Sequence, residues 1–339
     1  MDCAADFVIS QCETEINFFM LYEICERIVG GGPAATLDEA LLLEGECTTE
    51  ELCEAADRVR DKCCGGRLDT CSIVNARSGR CPEDCKWCSQ SRFYATGVDE
   101  YEIVDAREAI SLAEDNERRG VRHLSLVTSG RRVTSQQIGR FCSLFREMRR
   151  HCPEIGFCAS MGLLGRDELQ ALKDAGVRRY HCNLETSSDY FPSLCSTHTH
   201  ADKLHTIAAA REVGLEICSG GIIGMGESMR QRLQLVAEAY AAGAVSIPVN
   251  LLNPIAGTPL GDMPLLSEDE IVRSVALMRL VAPKAVMRFA GGRARLSQEC
   301  TRRILRGGMN GVMVGDLLTT VGNSVDDDFR MFAETGYEL

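Results

Sequence analysis

Three cysteines stand close together in the segment Cys81-Pro-Glu-Asp-Cys85-Lys-Trp-Cys88. Thiolates at this spacing can bind three irons of a cubane iron–sulfur cluster and leave the fourth iron open to a ligand from outside the protein. A ferredoxin normally supplies a fourth cysteine, and a structural zinc site needs a fourth Cys or His at a matching spacing. The sequence offers neither at such a spacing, so the triplet favours a cluster with one open iron.

The composition describes an acidic chain that is unusually rich in cysteine. Its 339 residues include 18 cysteines, and the formal net charge is −12. This charge argues against a nucleic-acid partner, because phosphate would be repelled. No apolar run is long enough to span a membrane, and the first residues lack the pattern of a secretory signal. We therefore expect a cytoplasmic protein without a membrane partner, in which some cysteines are metal ligands and most others are small buried hydrophobic residues.

Two parts of the chain differ in their predicted elements. Residues 1–66 read as an N-terminal helical segment, which the glycines at 30–32 and 65–66 divide and end. Residues 67–339 alternate short apolar runs with amphipathic stretches, and the predicted strands are Cys71–Ala76, His123–Val127, Gly156–Ser160, Arg179–Asn183, Glu216–Ser219, Ser246–Asn250, Val286–Phe289 and Gly311–Val314. The intervening stretches have helical periodicity and repeatedly end at glycine.

This alternation predicts parallel strands joined by helical crossovers. About eight units favour an α/β fold of the closed (β/α)₈ type, with an open doubly wound sheet as the alternative. In such a barrel the chemistry lies at the carboxyl ends of the strands. The cysteine triplet follows the first predicted strand and therefore stands where a barrel enzyme keeps its site.

A C-x₃-C-x₂-C motif after the first barrel strand resembles the radical S-adenosylmethionine superfamily. The chain from about Cys71 to Leu339 is similar to the biotin synthase family in particular. That resemblance rests on the segments SGRCPEDCKWCSQS, HCNLETS, ICSGGIIGMGE, IPVNLLNPIAGTPL, MRFAGGR and DLLTTVGNSVDDD, in this order. It implies a sulfurtransferase that inserts sulfur into dethiobiotin to give biotin.

The resemblance also implies the cofactor and substrate contacts. Cys81, Cys85 and Cys88 would hold a [4Fe–4S] cluster whose open iron binds S-adenosylmethionine. The other expected cofactor contacts are Trp87 at the adenine, Asn183 and Glu185 at the ribose, and the backbone of Gly220, Gly221 and Gly224. The expected dethiobiotin contacts are Asn183 and Asn250 at the ureido ring and Arg77, Thr319 and Thr320 at the carboxylate.

A second sulfur site follows from the same resemblance, with one departure from the family pattern. Familiar members hold a [2Fe–2S] cluster with three cysteines and an arginine, and here Cys158, Cys218 and Arg288 match three of these positions. Ser125 stands at the position of the remaining cysteine. Cys182 replaces a histidine that is common in the family. We therefore predict an auxiliary cluster bound by Cys158, Cys182 and Cys218.

The form of that cluster stays open at this point. A four-iron cluster with an extra sulfide is one form that it could take, and Arg288 could be a ligand or a nearby balancing charge. Because Cys182 and Asn183 are adjacent, a regular strand would point them to opposite faces, so a bulge or a strand end is needed there. The remaining cysteines, Cys71 among them, are not expected to form a further metal site.

Two other functions compete with this interpretation. Another enzyme of the same branch, similar to hydrogenase maturases or to enzymes of the pyrrolysine pathway, would keep the triplet but lack Cys158 and Cys218. A non-catalytic iron–sulfur carrier would show a fourth nearby cysteine. The resemblance further implies a low-potential electron donor, flavodoxin or ferredoxin, and a homodimer.

Overall fold

The computed structural model describes residues 19–315 and 325–338. From residue 19 onward, three helices precede the first strand: α1 covers residues 19–29, α2 Leu37–Glu46 and α3 Thr49–Cys64. Helix α3 begins with a capping box, in which Thr48 Oγ1 accepts a hydrogen bond from the Glu51 N–H and the Glu51 carboxylate accepts one from the Thr48 N–H. Such reciprocal caps satisfy amide groups that have no partner within the helix.

In the described part of the chain nine strands follow, and all are parallel. They are β1 Asp69–Arg77, β2 His123–Thr128, β3 Gly156–Ser160, β4 Arg179–His181, β5 Glu216–Cys218, β6 Gly221–Ile223, β7 Ala244–Leu251, β8 Val286–Phe289 and β9 Gly311–Met313. The hydrogen-bonded order is β5-β4-β3-β2-β1-β9-β8-β7-β6, and β5 also pairs with β7. Strands β5 and β6 are thus two segments at one position of a closed barrel with eight positions, which confirms the predicted (β/α)₈ fold.

Helices cover the outside of this barrel. They are α4 Ala106–Arg118, α5 Ser135–His151, α6 Arg166–Asp174, α7 Phe191–Leu194, α8 His200–Glu212, α9 Met229–Ala241, α10 Glu268–Val281, α11 Gln298–Arg306 and α12 Val325–Glu334. The sequence analysis did not predict α7, β6 or α12. Among the described residues, none of the helices is long and apolar enough to cross a membrane.

The N-terminal helices pack against the barrel helices. Leu43 of α2 and Leu52 of α3 are fully buried in the same hydrophobic core as Val275 of α10. Arg273 of α10 donates a hydrogen bond to the Cys47 carbonyl (2.6 Å), between α2 and α3. Helices α2 and α3 therefore complete the outer layer on one side of the barrel, while the domain boundary at residue 66 stays a prediction.

Candidate active site

A cavity of about 440 Å³ opens at the carboxyl ends of the strands and reaches into the barrel. It brings together most of the residues that the sequence analysis singled out: Cys81, Cys85, Cys88, Trp87, Ser125, Cys158, Cys182, Asn183, Glu185, Cys218, Asn250 and Arg288. Arg77 lies next to this set, with its guanidinium beside Gly130 of the cavity wall. Thr319 and Thr320 lie outside the described residues.

The loop after β1 carries the triplet Cys81, Cys85 and Cys88, which we call the loop site. Cys81 is anchored at both backbone groups, because its N–H donates to Gln90 and its carbonyl accepts from the Arg92 N–H, each at 2.9 Å. The Cys88 N–H donates to the Cys85 carbonyl (3.0 Å), which makes a tight turn between these two residues. All three cysteines are half-buried and line the cavity. Three soft thiolate donors on one wall of an open cavity fit a multi-iron cluster with one open iron.

A second segment, after α7, supports this loop. The Cys85 and Cys195 sulfurs are 3.7 Å apart, and Cys195 Sγ lies 3.3 Å from His198 Nδ1. The hydrogen bond from Cys85, with help from His198, lowers the pKa of Cys195 to about 4 although burial opposes this. His198 also bonds the Glu83 carboxylate of the triplet loop.

Cys195 and His198 were not predicted from the sequence as neighbours of the loop site. Within the described ranges, Cys85, Cys195 and His198 are the one set of three such side chains whose ligand atoms all lie within 4.8 Å of one another. The Cys-x-x-His spacing of Cys195 and His198 is typical of metal ligands and was the one sign in the sequence. It gives no indication that these residues contact the triplet, which lies more than a hundred residues earlier.

Backbone geometry shapes the wall between the loop after β4 and the break between β5 and β6. A Cβ atom on Gly220 would lie 2.1 Å from the Pro248 carbonyl oxygen, and one on Gly221 would lie 2.2 Å from that of Glu185. Only glycine fits these two positions. Glu185 itself adopts a φ of 75°, which is rare for a residue with a side chain and is typical of functional sites.

Two asparagines line the same wall and already bond the backbone. Asn183 accepts a hydrogen bond from the Gly220 N–H (3.1 Å), and Asn250 accepts one from the Gly291 N–H (2.9 Å). Asn250 also donates to the Gly221 carbonyl (3.0 Å). Since an amide has two donor hydrogens and two acceptor lone pairs, each side chain keeps hydrogen-bonding capacity for a ligand. Both amides are thereby held in fixed orientations.

The inner end of the cavity combines thiols with buried cations. We call Cys158, Cys218 and Arg288 the inner site. Arg288 is 1% exposed and donates to the carbonyls of Asp69 (3.1 Å) and Val312 (3.0 Å) and to the Asp69 carboxylate.

The electrostatics of the inner site favour an anion. Burial raises the pKa of Cys218, but His181, Arg179 and Arg288 outweigh this effect and lower it to about 7. His181 Nδ1 lies 3.3 Å from Cys218 Sγ. The buried hydroxyls of Ser125 and Ser246 have no hydrogen-bond partner among the described residues. Thiolate donors, two arginines and orphaned hydroxyls fit an anionic iron–sulfur group.

Cys182 occupies a different environment from the inner site. Strand β4 ends at His181, so Cys182 and Asn183 lie beyond the regular strand, as the sequence analysis required. The Cys182 N–H donates to the Cys218 carbonyl (3.1 Å), which ties the two backbones together. Burial raises the pKa of the Cys182 thiol, and the charged groups that act on it are Lys203 and Glu185. Its role as a cluster ligand stays a prediction.

Two family models match this chain, over two successive ranges of residues. The Radical SAM superfamily matches residues 76–239, and the Biotin and Thiamin Synthesis associated domain matches residues 248–338. The first range contains the loop site, and the second contains β8 with Arg288.

Curated relatives match over nearly the whole chain. A biotin synthase from Porphyromonas gingivalis is 47% identical over 320 residues, which cover 94% of this chain and 96% of that relative. A biotin synthase from Acetivibrio thermocellus is 42% identical over 317 residues, which cover 93% and 98%.

Solved structures share the fold at low sequence identity. Methylornithine synthase has a TM-score of 0.80 and 16% identity, with 93% of this chain and 96% of that chain covered. The FeFe-hydrogenase maturase HydG from Carboxydothermus hydrogenoformans has a TM-score of 0.77 and 15% identity, with 97% and 83% covered. At this identity the likeness concerns the fold alone.

Proposed function

Since this chain belongs to the biotin synthase family of the radical S-adenosylmethionine superfamily, we propose that it converts dethiobiotin to biotin by inserting sulfur. The observation that carries the proposal is that one cavity joins a three-cysteine loop to an inner site of buried thiols and arginine. When bound, a [4Fe–4S] cluster with S-adenosylmethionine supplies 5′-deoxyadenosyl radicals that remove hydrogen from unactivated C–H bonds, and an auxiliary iron–sulfur cluster supplies the sulfur.

The residues at the mouth of the cavity would bind the cofactor. Cys81, Cys85 and Cys88 would hold the cluster through the anchored loop. Trp87 would stack on the adenine, because it is half-buried against the apolar cluster that includes Leu194 and Met225 and also lines the cavity. Gly220 and Gly221 let the break between β5 and β6 pack closely on Pro248 and Glu185 behind the cavity wall. The backbone of Gly220, Gly221 and Gly224 would lie near the cofactor, as the family resemblance implies, and Asn183 and Glu185 would bond the ribose hydroxyls.

The substrate would lie between the mouth and the inner site. Asn183 and Asn250 are neutral and rigidly held, and they would match the donors and acceptors of the ureido ring without placing a charge there. Arg77, with Thr319 and Thr320, would bind the carboxylate. This arrangement would orient the two reacting carbons toward the inner site.

The inner site would hold the auxiliary cluster. Cys158 and Cys218 would be thiolate ligands, and Arg288 would be a ligand or would balance the negative charge of the cluster. Cys182 is the third thiolate that the sequence analysis proposed. A [2Fe–2S] cluster, as in the usual family, and a four-iron cluster with an extra sulfide are both compatible with this donor set.

Three further properties are proposed from family membership. The enzyme would receive electrons from flavodoxin or ferredoxin, act as a homodimer and work in the cytoplasm. The many thiols support a reducing compartment, because all 16 cysteines in the described parts of the chain are free. Sedimentation analysis of the reconstituted protein would test the dimer.

One anaerobic reaction tests the proposed function. Reconstituted protein receives dethiobiotin, S-adenosylmethionine and a low-potential reductant, and mass spectrometry quantifies biotin and 5′-deoxyadenosine. We expect biotin with about two equivalents of 5′-deoxyadenosine, one for each C–H bond that is broken. Deoxyadenosine without biotin, from protein with full iron and sulfide content, would overturn dethiobiotin as the substrate. Such a result would favour another reaction of the same superfamily.

A further inference from the structure

Cys71 is a buried thiol that the proposed ligand set does not use. It is the third residue of β1, is 8% exposed and lines the inner part of the cavity. Side chains of a strand alternate between its two faces, and Ile73, two residues further along β1, lines the same cavity. Cys71 therefore points into the barrel rather than toward the surrounding helices.

The strand registers place Cys71 at the height of the inner site. In a closed eight-stranded barrel the strands are tilted, so inward residues at one height shift by two residues between alternate strands. Cys71 of β1 pairs with His123 of β2, and His123 pairs with Gly156 of β3, so Cys71 and Gly156 are at the same level of the hydrogen-bond ladder. Cys158 lies two residues further along β3. Counting through β4, Cys158 is level with Glu216, and Cys218 lies two residues further.

The same two-residue shifts continue through the other half of the barrel and lead back to Cys71. Through β7, Cys218 is level with Val286, and Arg288 lies two residues further. Through β9, Arg288 is level with Asp69, and Cys71 lies two residues further. Cys71, Cys158, Cys218 and Arg288 thus form one layer of four inward side chains from alternate barrel positions, which we call the cysteine ring.

The electrostatic neighbours of each member agree with this layer. The charges that act on the Cys71 thiol include Arg288 and Cys218, and those that act on Cys158 include Cys71 and Cys218. Arg288 in turn is influenced by Cys71 and Cys218. The thiolates of an iron–sulfur cluster bind its irons from different sides and so surround a shared volume, which is the arrangement that one barrel layer provides.

The two alternatives to Cys71 lie outside this ring. Ser125 belongs to the next layer toward the mouth, because a shift of one residue per strand puts Leu124 of β2 at the height of Cys71, and Ser125 lies one residue further. Its hydroxyl is a poor replacement for a soft thiolate. Cys182 lies beyond the end of β4, and the charges that act on its thiol are Lys203 and Glu185 rather than members of the ring.

We propose that Cys71, Cys158 and Cys218 are the thiolate ligands of the auxiliary iron–sulfur cluster, with Cys71 supplying the thiolate that Ser125 does not. This rests on the proposed function in one respect, namely that an auxiliary cluster is present. The ligand has moved from β2 to the neighbouring β1, by one layer, and it still faces the same interior volume. Arg288 completes the ring as its one cation.

The test counts the auxiliary cluster alone. A parent variant, Cys81→Ala/Cys85→Ala/Cys88→Ala, removes the loop site, so iron and sulfide bound after anaerobic reconstitution report on the inner end of the cavity. Into this parent we introduce Cys71→Ser or, as a matched control, Cys182→Ser. Iron and sulfide per chain and the Mössbauer spectrum are measured, and circular dichroism monitors folding.

We expect Cys71→Ser to lose the bound iron and sulfide and Cys182→Ser to retain both with the spectrum of the parent. Full iron content in Cys71→Ser, or a loss in Cys182→Ser alone, would overturn the assignment. A parent that binds no iron would also overturn it. Because the measurement needs neither substrate nor turnover, a protein that makes no biotin can still confirm the ring, and the two proposals fail separately.

A rescue variant covers the case in which Cys71→Ser fails to fold or reconstitute for another reason. Ser125→Cys, added to Cys71→Ser in the same parent, returns a thiolate to the position that the family normally uses. We expect it to regain iron and sulfide with a changed Mössbauer spectrum, since one ligand approaches from a different layer. Failure of this variant to bind iron, in protein that is folded by circular dichroism, would count against a ligand position shared by β1 and β2.

Discussion

The loop site and the cysteine ring hold three cysteines each, but they position them in opposite ways. The loop site gathers Cys81, Cys85 and Cys88 on one half-buried segment, where spacing along the chain sets the geometry. The ring takes its thiols from three strands, and its cysteines at 71, 158 and 218 are 8%, 4% and 8% exposed. There the hydrogen-bond register of the barrel sets the geometry.

This difference has a consequence for how each site tolerates change. A ligand in the loop cannot move by a residue without altering the turn that holds the other two. Around the ring, several inward positions on neighbouring strands surround the same volume, so a thiolate can be lost at Ser125 and supplied from Cys71. A site built on a barrel interior can therefore exchange ligand positions, whereas a loop motif must keep its spacing.

The largest effect is expected from removing one loop ligand. Cys88→Ala leaves only two thiolates on the loop, and the turn between Cys85 and Cys88 offers no replacement. We expect 5′-deoxyadenosine formation to fall to the level of a reaction without protein, measured by mass spectrometry under reducing conditions. The matched control is Cys53→Ala on α3, far from the cavity, which should keep the parent rate. Turnover by Cys88→Ala would show that the loop, like the ring, can recruit another ligand.

The sequence predicted the barrel, and the position of the three-cysteine loop after its first strand, for the same physical reason. Strand bounds such as Gly156–Ser160 and Val286–Phe289 agree with the structure, because apolar runs that end at glycine or at polar loops are local signals. The break between β5 and β6 escaped prediction, because it depends on the close approach of Gly220 to Pro248 of another strand.

The place of Cys71 could not be predicted either. A single strand shows which residues share a face, but the height of that face relative to other strands depends on register around the whole barrel. The sequence shows a serine, Ser125, where the family has a cysteine ligand. It also shows Cys182 where the family commonly has a histidine, and this made Cys182 the predicted replacement. Only the closed register distinguishes the two candidates.

An intermediate effect is expected at the cation of the ring. Asp69 carries the carboxylate that pairs with the buried Arg288, and the two guanidinium bonds to backbone carbonyls remain when that carboxylate is neutralised. We expect Asp69→Asn to lower the free energy of unfolding of the apoprotein by about 3 kcal/mol, the cost typical of breaking a buried ion pair. Urea unfolding monitored by circular dichroism measures this change.

A surface pair provides the matched control for that substitution. Asp115 bonds the exposed Arg118 and Arg119 on α4, at 2.9 and 2.8 Å. Because exposed ion pairs contribute little, Asp115→Asn should change the free energy of unfolding by less than about 1 kcal/mol. If the two substitutions lowered the free energy of unfolding equally, the carboxylate beside Arg288 would contribute no more to stability than one on the protein surface.

The smallest effect is expected from Cys195, which contacts the loop site from a different segment of the chain and is expected to affect its reduction potential. When Cys85 binds iron it carries no proton, so the hydrogen bond from Cys85 that lowers the pKa of Cys195 is lost. Cys195 is then a thiol, and in the contact at 3.7 Å it becomes the hydrogen-bond donor. Hydrogen bonds to cluster sulfurs stabilise the reduced, more negative state and raise the reduction potential. A contribution of about 1 kcal/mol corresponds to about 40 mV for one electron, so Cys195→Ala should lower the midpoint potential by about that amount.

This shift is measurable only if the loop cluster is observed alone. Redox titration followed by electron paramagnetic resonance is therefore performed in a Cys158→Ala background, which removes one ring ligand and with it the auxiliary cluster. Ser196→Ala is the matched control, because Ser196 lies in the same segment and bonds Asp84 rather than Cys85. An unchanged potential in Cys195→Ala would show that the loop site depends on its own three residues alone. A loss of iron would instead make Cys195 a ligand, and the contrast between a self-contained loop and a distributed ring would no longer hold.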